Sequence, residues 1–251
     1  MTRIILIGCN GSMGRVVAEN AAFSGRFEVV AGVDVSAGGQ PGFPVYRHAG
    51  RVREAADVII DFSHPAALSG NLALAAREGI PIVIATTGLS QEQQQEIREC
   101  AKTVPVFLSF NMSLGVNLML RLAKQAALLL YGDFDIEIVE KHHNRKLDAP
   151  SGTAIMLADA ISGVLPEKPR YVYDRHARRM KRDKAEIGIS SIRGGTIVGE
   201  HEVIFAGNDE IIEIRHTAMS RDIFAVGALR AAQFIIGKAP GLYDMDDLVS
   251  E

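Results

Sequence analysis

Short, continuous apolar runs alternate with amphipathic segments through the first 110 residues of the chain. Such runs are typical of strands buried on both faces of a parallel sheet, whereas apolar positions spaced by three and four indicate helices. The predicted strands cover residues 4–7, 27–34, 57–61, 80–85 and 104–110, and the predicted helices end near residue 24 or cover residues 65–78 and 90–102. This alternation predicts an α/β fold that begins with a Rossmann-like, doubly wound parallel sheet.

The pattern changes beyond residue 112, where strands and helices no longer alternate regularly. The predicted elements are an apolar helix over residues 114–130, a half-buried strand over 134–139, a helix from 152 to about 161, strands over 187–193, 196–205 and 210–217, and a closing helix over 221–236. This mixture predicts a second, α+β domain with an open mixed sheet. We therefore expect a dinucleotide-binding domain, residues 1–112, and a substrate-binding and oligomerisation domain, residues 113–218.

A glycine-rich loop follows the first predicted strand, with the sequence Gly8-Cys9-Asn10-Gly11-Ser12-Met13-Gly14. The strand, the loop, a helix and a second strand that ends in Asp34 stand in the order of a dinucleotide-binding unit. Glycines at these positions allow a tight turn and a close approach of the pyrophosphate. We therefore predict that a pyridine dinucleotide binds at Gly8, Cys9, Asn10, Gly11, Ser12 and Met13, with the Cys9 thiol itself buried.

Asp34 suggests which nucleotide is preferred. A carboxylate at the end of the second strand can accept both hydroxyls of the adenosine ribose, and it repels a 2′-phosphate. Val35, Ser36 and Ala37 carry no positive charge. The sequence therefore predicts a preference for NADH, with NADPH possible if one of the arginines at 47, 51 or 53 folds over the site.

The ends of the later strands supply further polar groups. In open α/β sheets, ligands bind beyond the carboxyl ends of the strands. Those ends carry Asp61-Phe62-Ser63, Ala85-Thr86-Thr87-Gly88 and Ser109-Phe110-Asn111-Met112. Without other information, ordinary turn capping would also explain Thr86 and Asn111. We expect His64 to be a surface or capping histidine.

Composition narrows the function classes. The chain of 251 residues is 47% hydrophobic, which is enough for a sizeable core, and its net charge of −3 disfavours nucleic acid and anionic membranes as partners. The N-terminus is too short and too soon interrupted by glycine to be a signal peptide, and no apolar run is long enough to span a membrane. Two cysteines without a pairing pattern fit a reducing, cytoplasmic location.

The densest chemistry lies in residues 140–154, EKHHNRKLDAPSGTA, here called the signature segment. It places two imidazoles, His142 and His143, close to the cations at 141, 145 and 146. Pro150 fits the first turn of a helix, and Ser151 and Thr153 can cap its amides. Free N–H groups at a helix start bind anions. The segment therefore offers proton donors and a carboxylate site for a small dianionic substrate.

This segment resembles the active-site signature of the 4-hydroxy-tetrahydrodipicolinate reductase family, also called dihydrodipicolinate reductase, of bacterial and plant lysine synthesis. The family pattern, roughly E-x-H-H-x-x-K-x-D-A-P-S-G-T-A, is matched at every fixed position. The loops at 85–88 and 109–113, the R-G-G stretch at 193–195 and the segment 220–232 also resemble this family, so the resemblance covers nearly the full chain.

The resemblance implies a set of site residues and an assembly. His142 and Lys146 would be the catalytic proton donors, and His143, Gly152 and Thr153 would hold the substrate carboxylates. The nicotinamide half of the cofactor would contact Ala85, Thr86, Thr87, Ser109, Phe110, Asn111 and Met112. Residues 219–251 would return to the nucleotide domain, and four subunits would join through the second domain. The implied reaction is NAD(P)H-dependent reduction of 4-hydroxy-tetrahydrodipicolinate.

Other functions are less consistent with these residues. Adjacent histidines on a strand point to opposite faces and rarely share a metal ion, and no Cys or carboxylate stands at ligand spacing, so we predict no metal site. The alternative of an aspartate or homoserine dehydrogenase of similar two-domain build is disfavoured by the D-A-P-S-G-T segment. A nucleotide-sensing regulator usually carries a DNA-binding module before its first Rossmann strand.

The basic run at residues 170–184, RYVYDRHARRMKRDK, is open to three interpretations. A solvated, mobile loop is the favoured one. The alternatives are a lid or electrostatic funnel for anionic ligands and, least favoured, a nucleic-acid-binding segment. We expect His201, in the middle of an alternating strand, and the nearby Arg193 to be mainly structural.

Overall fold

The computed structural model describes residues 1–36, 42–176 and 179–250. The chain divides into two compact units. The first contains Met1–Leu114 and Arg221–Glu251, and the second contains Gly115–Ser220. Along the described ranges, none of the helices combines the length and the apolar character that crossing a membrane requires.

The first unit opens with regularly alternating elements. They are β1 (Thr2–Ile7), α1 (Ser12–Ser24), β2 (Phe27–Val33), β3 (Val45–Tyr46), β4 (Val58–Asp61), α2 (Leu68–Glu78), β5 (Ile82–Ile84), α3 (Gln91–Cys100) and β6 (Pro105–Leu108). The predicted helix over 65–78 begins as a 3-10 turn at Pro65–Ala67, where the Nδ1 of His64 accepts a hydrogen bond from the Ala66 amide at 3.2 Å. His64 is therefore a capping residue, as expected.

Two helices and five strands are found in the described residues of the second unit. They are α4 (Leu114–Leu130, which starts at the unit boundary), β7 (Asp135–His142), α5 (Gly152–Val164), β8 (Arg170–Val172), β9 (Glu186–Arg193), β10 (Gly199–Ala206) and β11 (Ile211–Ala218). The strands form a mixed sheet in the order β11-β10-β7-β9-β8. The helices α4 and α5 pack on one face of this sheet, over residues such as Ile138, Val203 and Phe205. The predicted α+β architecture is confirmed.

The closing segment returns to the first unit as α6 (Asp222–Ile235), β12 (Gly241–Tyr243) and α7 (Met245–Ser250). It completes a seven-stranded sheet, β12-β6-β5-β4-β1-β2-β3, in which every pairing is parallel. Alternate residues of β1 face opposite helical layers: Ile4 and Leu6 pack with α1 and α6, whereas Ile5 and Ile7 pack with α2 and α3. This confirms the doubly wound fold.

Two local expectations about the signature segment need correction. Pro150 does not occupy the first turn of α5, because that helix begins at Gly152 and its N-cap is Ser151. The strand that precedes the segment was expected to end at residue 139, but β7 continues through His142. The chain leaves the sheet immediately after this residue, so His142 and His143 are not held to opposite faces by one strand.

The favoured interpretation of residues 170–184 as a mobile, solvated loop is wrong where the segment pairs with the sheet, although most of its described residues are exposed and irregular. Residues 170–172 form β8, which pairs with β9. Arg182 donates hydrogen bonds to the carbonyls of Ile136 and Glu186 at 3.0 and 2.6 Å, and Arg175 forms ion pairs with Glu137 and Glu186. Strands β7 and β9 therefore hold the segment; its residues 177 and 178 lie outside the described part.

Candidate active site

The glycine-rich loop between β1 and α1 is built for close backbone approach. Gly8 has φ +78°, and a Cβ there would stand 2.6 Å from the Phe62 carbonyl oxygen. A Cβ at Gly14 would stand 2.1 Å from the carbonyl oxygen of Gly8. Both positions therefore require glycine, as a dinucleotide-binding turn does. The helix α1 begins at Ser12, so its N-terminal amides lie beside this loop.

Asp34 follows β2 and faces the same loop. It accepts hydrogen bonds from the Asn10 amide at 3.0 Å and from the amide and hydroxyl of Ser36 at 2.9 and 2.7 Å. Burial opposes ionisation, but these bonds, together with the charge of Arg15, hold the pKa of Asp34 below its ordinary value. Asp34 is therefore a carboxylate and can accept hydroxyl groups.

A cavity of about 480 Å³ in the first unit lies beyond the carboxyl ends of β4, β5 and β6. Nine of the predicted cofactor residues line it: Gly11, Ser12, Met13, Ala85, Thr86, Thr87, Phe110, Asn111 and Met112. Four more lining residues were not assigned from the sequence: Phe62, Ser63, Arg221 and Phe224. The Arg221 guanidinium donates to the Ser12 hydroxyl at 3.2 Å, which places a cation at the start of α1.

The other five predicted cofactor residues, Gly8, Cys9, Asn10, Asp34 and Ser109, do not line this cavity. The Cys9 side chain is fully buried in the core, where burial raises its pKa to about 11. Only the backbone of Cys9 is left to meet a ligand. The Ser109 hydroxyl instead shapes the adjacent turn, because it donates to the Asn111 carbonyl at 2.9 Å.

In the second unit, the signature segment is organised around Glu140, which is fully buried at the end of β7. Arg193 donates to both carboxylate oxygens, at 2.8 and 2.7 Å, and the Ser151 amide donates at 3.1 Å. The Nδ1 of His142 lies 2.6 Å from the same carboxylate. Burial would raise the pKa of Glu140, but the hydrogen bonds from Arg193, Ser191 and His142 hold it at about 2.

The start of α5 is held from a second side by His201. The Nε2 of His201 lies 2.8 Å from the Ser151 hydroxyl, which in turn accepts the N-cap hydrogen bond from the Ala154 amide at 3.2 Å. The rings of His142 and His201 meet edge to face, with centroids 5.2 Å apart. Burial, followed by the charge of His142, lowers the pKa of His201 to about 4, so it is a neutral structural residue, as expected.

Lys146 and His143 complete the group. The Lys146 ammonium pairs with Asp148 at 2.8 Å, and its charge also contributes to the lowered pKa of His201. The buried Nδ1 of His143 has no hydrogen-bond partner in the part of the chain that the structure describes. An unsatisfied buried nitrogen is costly unless a ligand or water meets it. The predicted proton donors, the predicted carboxylate holders and the start of α5 thus lie in one region of the second unit.

The sequence interpretation missed the role of two residues here. Glu140 was read only as part of the motif, and Arg193 as mainly structural, yet together they form the buried ion pair that orients His142. The contact of Glu140 with His142 could have been predicted from the sequence, because residues two positions apart on a strand lie on the same face. The contact of Arg193 with Glu140 could not have been predicted, because Arg193 is 53 residues away and reaches Glu140 only through the pairing of β7 with β9.

Comparison with known proteins decides the family. A family model described as dihydrodipicolinate reductase, N-terminus, matches residues 2–112, and one described as dihydrodipicolinate reductase, C-terminus, matches residues 115–249. The chain belongs to the dihydrodipicolinate reductase family. It is therefore an oxidoreductase of a family that uses pyridine nucleotides.

Relatives match the chain from end to end. The 4-hydroxy-tetrahydrodipicolinate reductase of Caldanaerobacter subterraneus subsp. tengcongensis is 56% identical over 251 residues, which cover 100% of this chain and 99% of the relative. The enzyme of the same name from Clostridium tetani is 48% identical over 250 residues, covering 100% and 98%. The site described above thus lies in a chain that corresponds to whole reductases.

Solved structures agree with this relationship. The dipicolinate-bound dihydrodipicolinate reductase from Paenisporosarcina sp. TG-14 has a TM-score of 0.83 and 25% identity, with 97% of each chain covered. A scyllo-inositol dehydrogenase from Lactobacillus casei with bound NAD(H) has a TM-score of 0.59 and 15% identity, covering 99% of this chain and 93% of its own. The latter shares the fold alone.

Proposed function

We propose that this protein reduces 4-hydroxy-tetrahydrodipicolinate to tetrahydrodipicolinate, in the diaminopimelate route to lysine. The observation that carries the proposal is the group around Glu140, where one buried carboxylate binds both His142 and the Ser151 amide at the start of α5. A proton-donating ring and an anion-binding helix start are thereby held together. A small ring dicarboxylate needs both.

The start of α5 supports carboxylate binding. The amides of Gly152 and Thr153 belong to its first turn, where backbone N–H groups and the helix dipole favour negative charge. The unsatisfied Nδ1 of His143 offers a further polar contact. We assign His143, Gly152 and Thr153 to substrate binding, and the residues that line the cavity in the first unit, with Asp34, to the cofactor.

His142 and Lys146 are assigned to proton transfer. A bound NAD(P)H would supply the hydride to the ring carbon that loses its hydroxyl as water. The protein must then neutralise the charge left on the nitrogen-conjugated system. The Nδ1 of His142 faces Glu140, so its Nε2 is the atom left to deliver a proton, and the Lys146 ammonium stabilises negative charge nearby.

Steady-state kinetics on freshly prepared substrate tests these roles. His142→Ala and Lys146→Ala should each lower kcat by about 10²–10⁴-fold, the usual range for general-acid groups. His143→Ala should mainly raise KM. Substrates of aspartate and homoserine dehydrogenases serve as controls and should not be turned over. A Lys146→Ala enzyme that keeps kcat within about threefold of wild type would contradict the catalytic assignment.

We propose that NADH is preferred over NADPH. Asp34 is ionised and can accept ribose hydroxyls, and it would repel a 2′-phosphate. Of the arginines that could offset this, Arg53 bonds to the carbonyls of Gly50 and Val52, at 3.2 and 2.9 Å. Arg15 acts on Asp34 through its charge and is the cation that we propose would admit NADPH.

Titration calorimetry with both cofactors tests this preference. Wild type should bind NADH at least as tightly as NADPH, and Arg15→Gln should weaken NADPH binding more than NADH binding, because only NADPH carries the added phosphate. Arg26→Gln serves as the control, because Arg26 is exposed and lies just past the C-terminal end of α1. Tenfold tighter binding of NADPH by wild type would refute the preference.

We propose that the protein is a homotetramer joined through its second unit. The helices α4 and α5 cover one face of the mixed sheet. On β11, apolar Ile211 and Ile212 are exposed, at 63% and 39%. A closed, symmetric assembly would bury such a surface. Light scattering at micromolar concentration should give four times the mass of 27.1 kDa, and a monomer would refute the proposal.

We propose that the protein works in the cytoplasm. Neither Cys9 nor Cys100 is part of a disulfide bond within the described residues, which fits a reducing compartment. Cell fractionation with an antibody against the protein tests this location, and recovery in the secreted fraction would contradict it.

A further inference from the structure

Asp61, the last residue of β4, is a buried carboxylate to which the proposed mechanism gives no role. It is 0% exposed. Burial raises the pKa of its carboxyl group, so folding it here in ionised form costs free energy that its hydrogen bonds must offset. An apolar side chain could occupy this buried position at a lower cost in free energy, so we infer that the carboxylate has a role beyond filling the end of the strand.

The hydrogen bonds of Asp61 connect two loops and a helix. Its Oδ1 accepts from the Ser63 amide at 2.8 Å, and its Oδ2 accepts from the Asn71 side-chain amide on α2, also at 2.8 Å. The Thr86 hydroxyl donates to the Ser63 carbonyl at 3.2 Å, and it lies close enough to Asp61 to lower the pKa of that carboxyl group. One side chain thus sets the distance between the loops that follow β4 and β5.

Both of these loops line the 480 Å³ cavity assigned to the cofactor. Ser63 and Thr86 are among its lining residues, whereas Asp61 and Asn71 lie behind it. A shift of either loop would change the shape of the cavity without removing any group from its wall. Asp61 therefore acts on a ligand only through its neighbours.

We propose that Asp61 is a positioning residue for the nicotinamide half of the cofactor, because it holds Ser63 and Thr86 in the geometry that this half requires. The inference rests on the proposed function for the identity of the ligand. It predicts that binding of NADH depends on the hydrogen-bond network, whereas binding of ADP-ribose, which lacks the nicotinamide, does not.

The test measures dissociation constants for NADH and ADP-ribose in three variants, with thermal unfolding in parallel. Asp61→Asn should raise the dissociation constant for NADH about tenfold and leave that for ADP-ribose within twofold. The reason is that the side-chain NH2 group replaces an accepting oxygen and then faces one of the two groups that donated to the Asp61 carboxylate. In the double variant Asp61→Asn/Asn71→Asp, the side chain at position 61 donates and the side chain at position 71 accepts, so that each hydrogen bond again has a donor and an acceptor. This variant should return the dissociation constant for NADH to within threefold of wild type. Asp57→Asn is the matched control. Asp57 immediately precedes β4, and its carboxylate also accepts a hydrogen bond from a backbone amide, that of Arg3, at 2.8 Å.

Each outcome is decisive. A folded Asp61→Asn protein with wild-type affinity for NADH overturns the proposal, as does an equal loss of both ligands, which indicates a merely structural role. A folded double variant that fails to restore binding shows that the hydrogen bond between positions 61 and 71 does not position the loops, and also overturns the proposal. If Asp61→Asn does not fold, Asn71→Ala decides: a rise of about threefold for NADH alone supports the proposal, and no rise refutes it. Absence of NADH and NADPH binding by wild type would instead refute the proposed function.

Discussion

At the scale of single residues, Glu140 connects the chemistry of the site to the fold. Its carboxylate holds Arg193, His142 and the Ser151 amide at once. The bond to His142 sets the tautomer and the orientation of the ring, as a second residue commonly does for catalytic histidines. A bidentate arginine in turn leaves the carboxylate little freedom to rotate.

We expect Glu140→Gln to lower kcat about 10²-fold, because a misplaced proton donor loses the benefit of orientation. The matched control is Glu137→Gln on the same strand, since Glu137 also pairs with an arginine, Arg182, at 3.0 Å. That variant should keep kcat within about twofold while losing some thermal stability. Steady-state kinetics and thermal unfolding measure both. Equal kcat values for the two variants would show that Glu140 stabilises the fold without orienting His142.

At the scale of elements, ion pairs across strands turn a charged run into ordered structure. Residues 170–184 carry partners for carboxylates on β7 and β9: Arg182 pairs with Asp135 at 2.9 Å and with Glu137, and Arg170 pairs with Glu186 at 3.2 Å. The sequence suggested a loop because a run of like charges is usually solvated. The opposing charges lie up to 47 residues away and become neighbours only in the sheet.

We expect Arg182→Gln to release this segment, because the guanidinium makes three hydrogen bonds to backbone carbonyls in addition to its ion pairs. Limited digestion with chymotrypsin should then cleave faster after Tyr173, which lies within the segment. Lys181→Gln, at the exposed neighbouring position, is the control and should leave the digestion rate unchanged. Identical digestion of Arg182→Gln and wild type would mean that β8 alone holds the segment.

At the scale of the whole molecule, two buried groups, His201 and Glu140, contribute to the dependence of stability on pH. The pKa of His201 is lowered from 6.5 to about 4, so between these values the unfolded chain binds a proton that the folded protein does not. Stability therefore falls as pH drops from about 6.5 to 4. The pKa of Glu140 is lowered from 4.5 to about 2, so its contribution is present above about 4.5 and is lost between 4.5 and 2.

Thermal unfolding between pH 7 and pH 5 tests the first of these windows. For wild type, the His201 term should contribute roughly 2 kcal/mol, or about 4–8 °C in Tm for a chain of this size. His201→Gln should flatten this dependence, and the exposed His48→Gln should not change it. If Tm falls between pH 7 and pH 5 by the same amount in wild type and in both variants, a group other than His201 causes the loss of stability in acid.

Local patterns determined much of this protein. Short apolar runs without alternation are typical of strands buried on both faces, so residues 4–7, 57–61 and 80–85 indicated a parallel sheet before any contact was known. The sequence also predicted the glycine-rich turn at residues 8–14 and the signature segment, because tight turns and helix starts depend on residues that are close in sequence.

Tertiary structure decided which charged and polar groups meet. The pairing of Glu140 with Arg193, the contact of Asp61 with Asn71 and the docking of Arg182 each depend on how strands and helices pack. A side chain's type states which bonds it can make, but its partner is set by proximity and by the exclusion of water. For this reason the sequence could propose residues 142 and 146 as the reacting groups, and the fold alone showed which residues hold them in place.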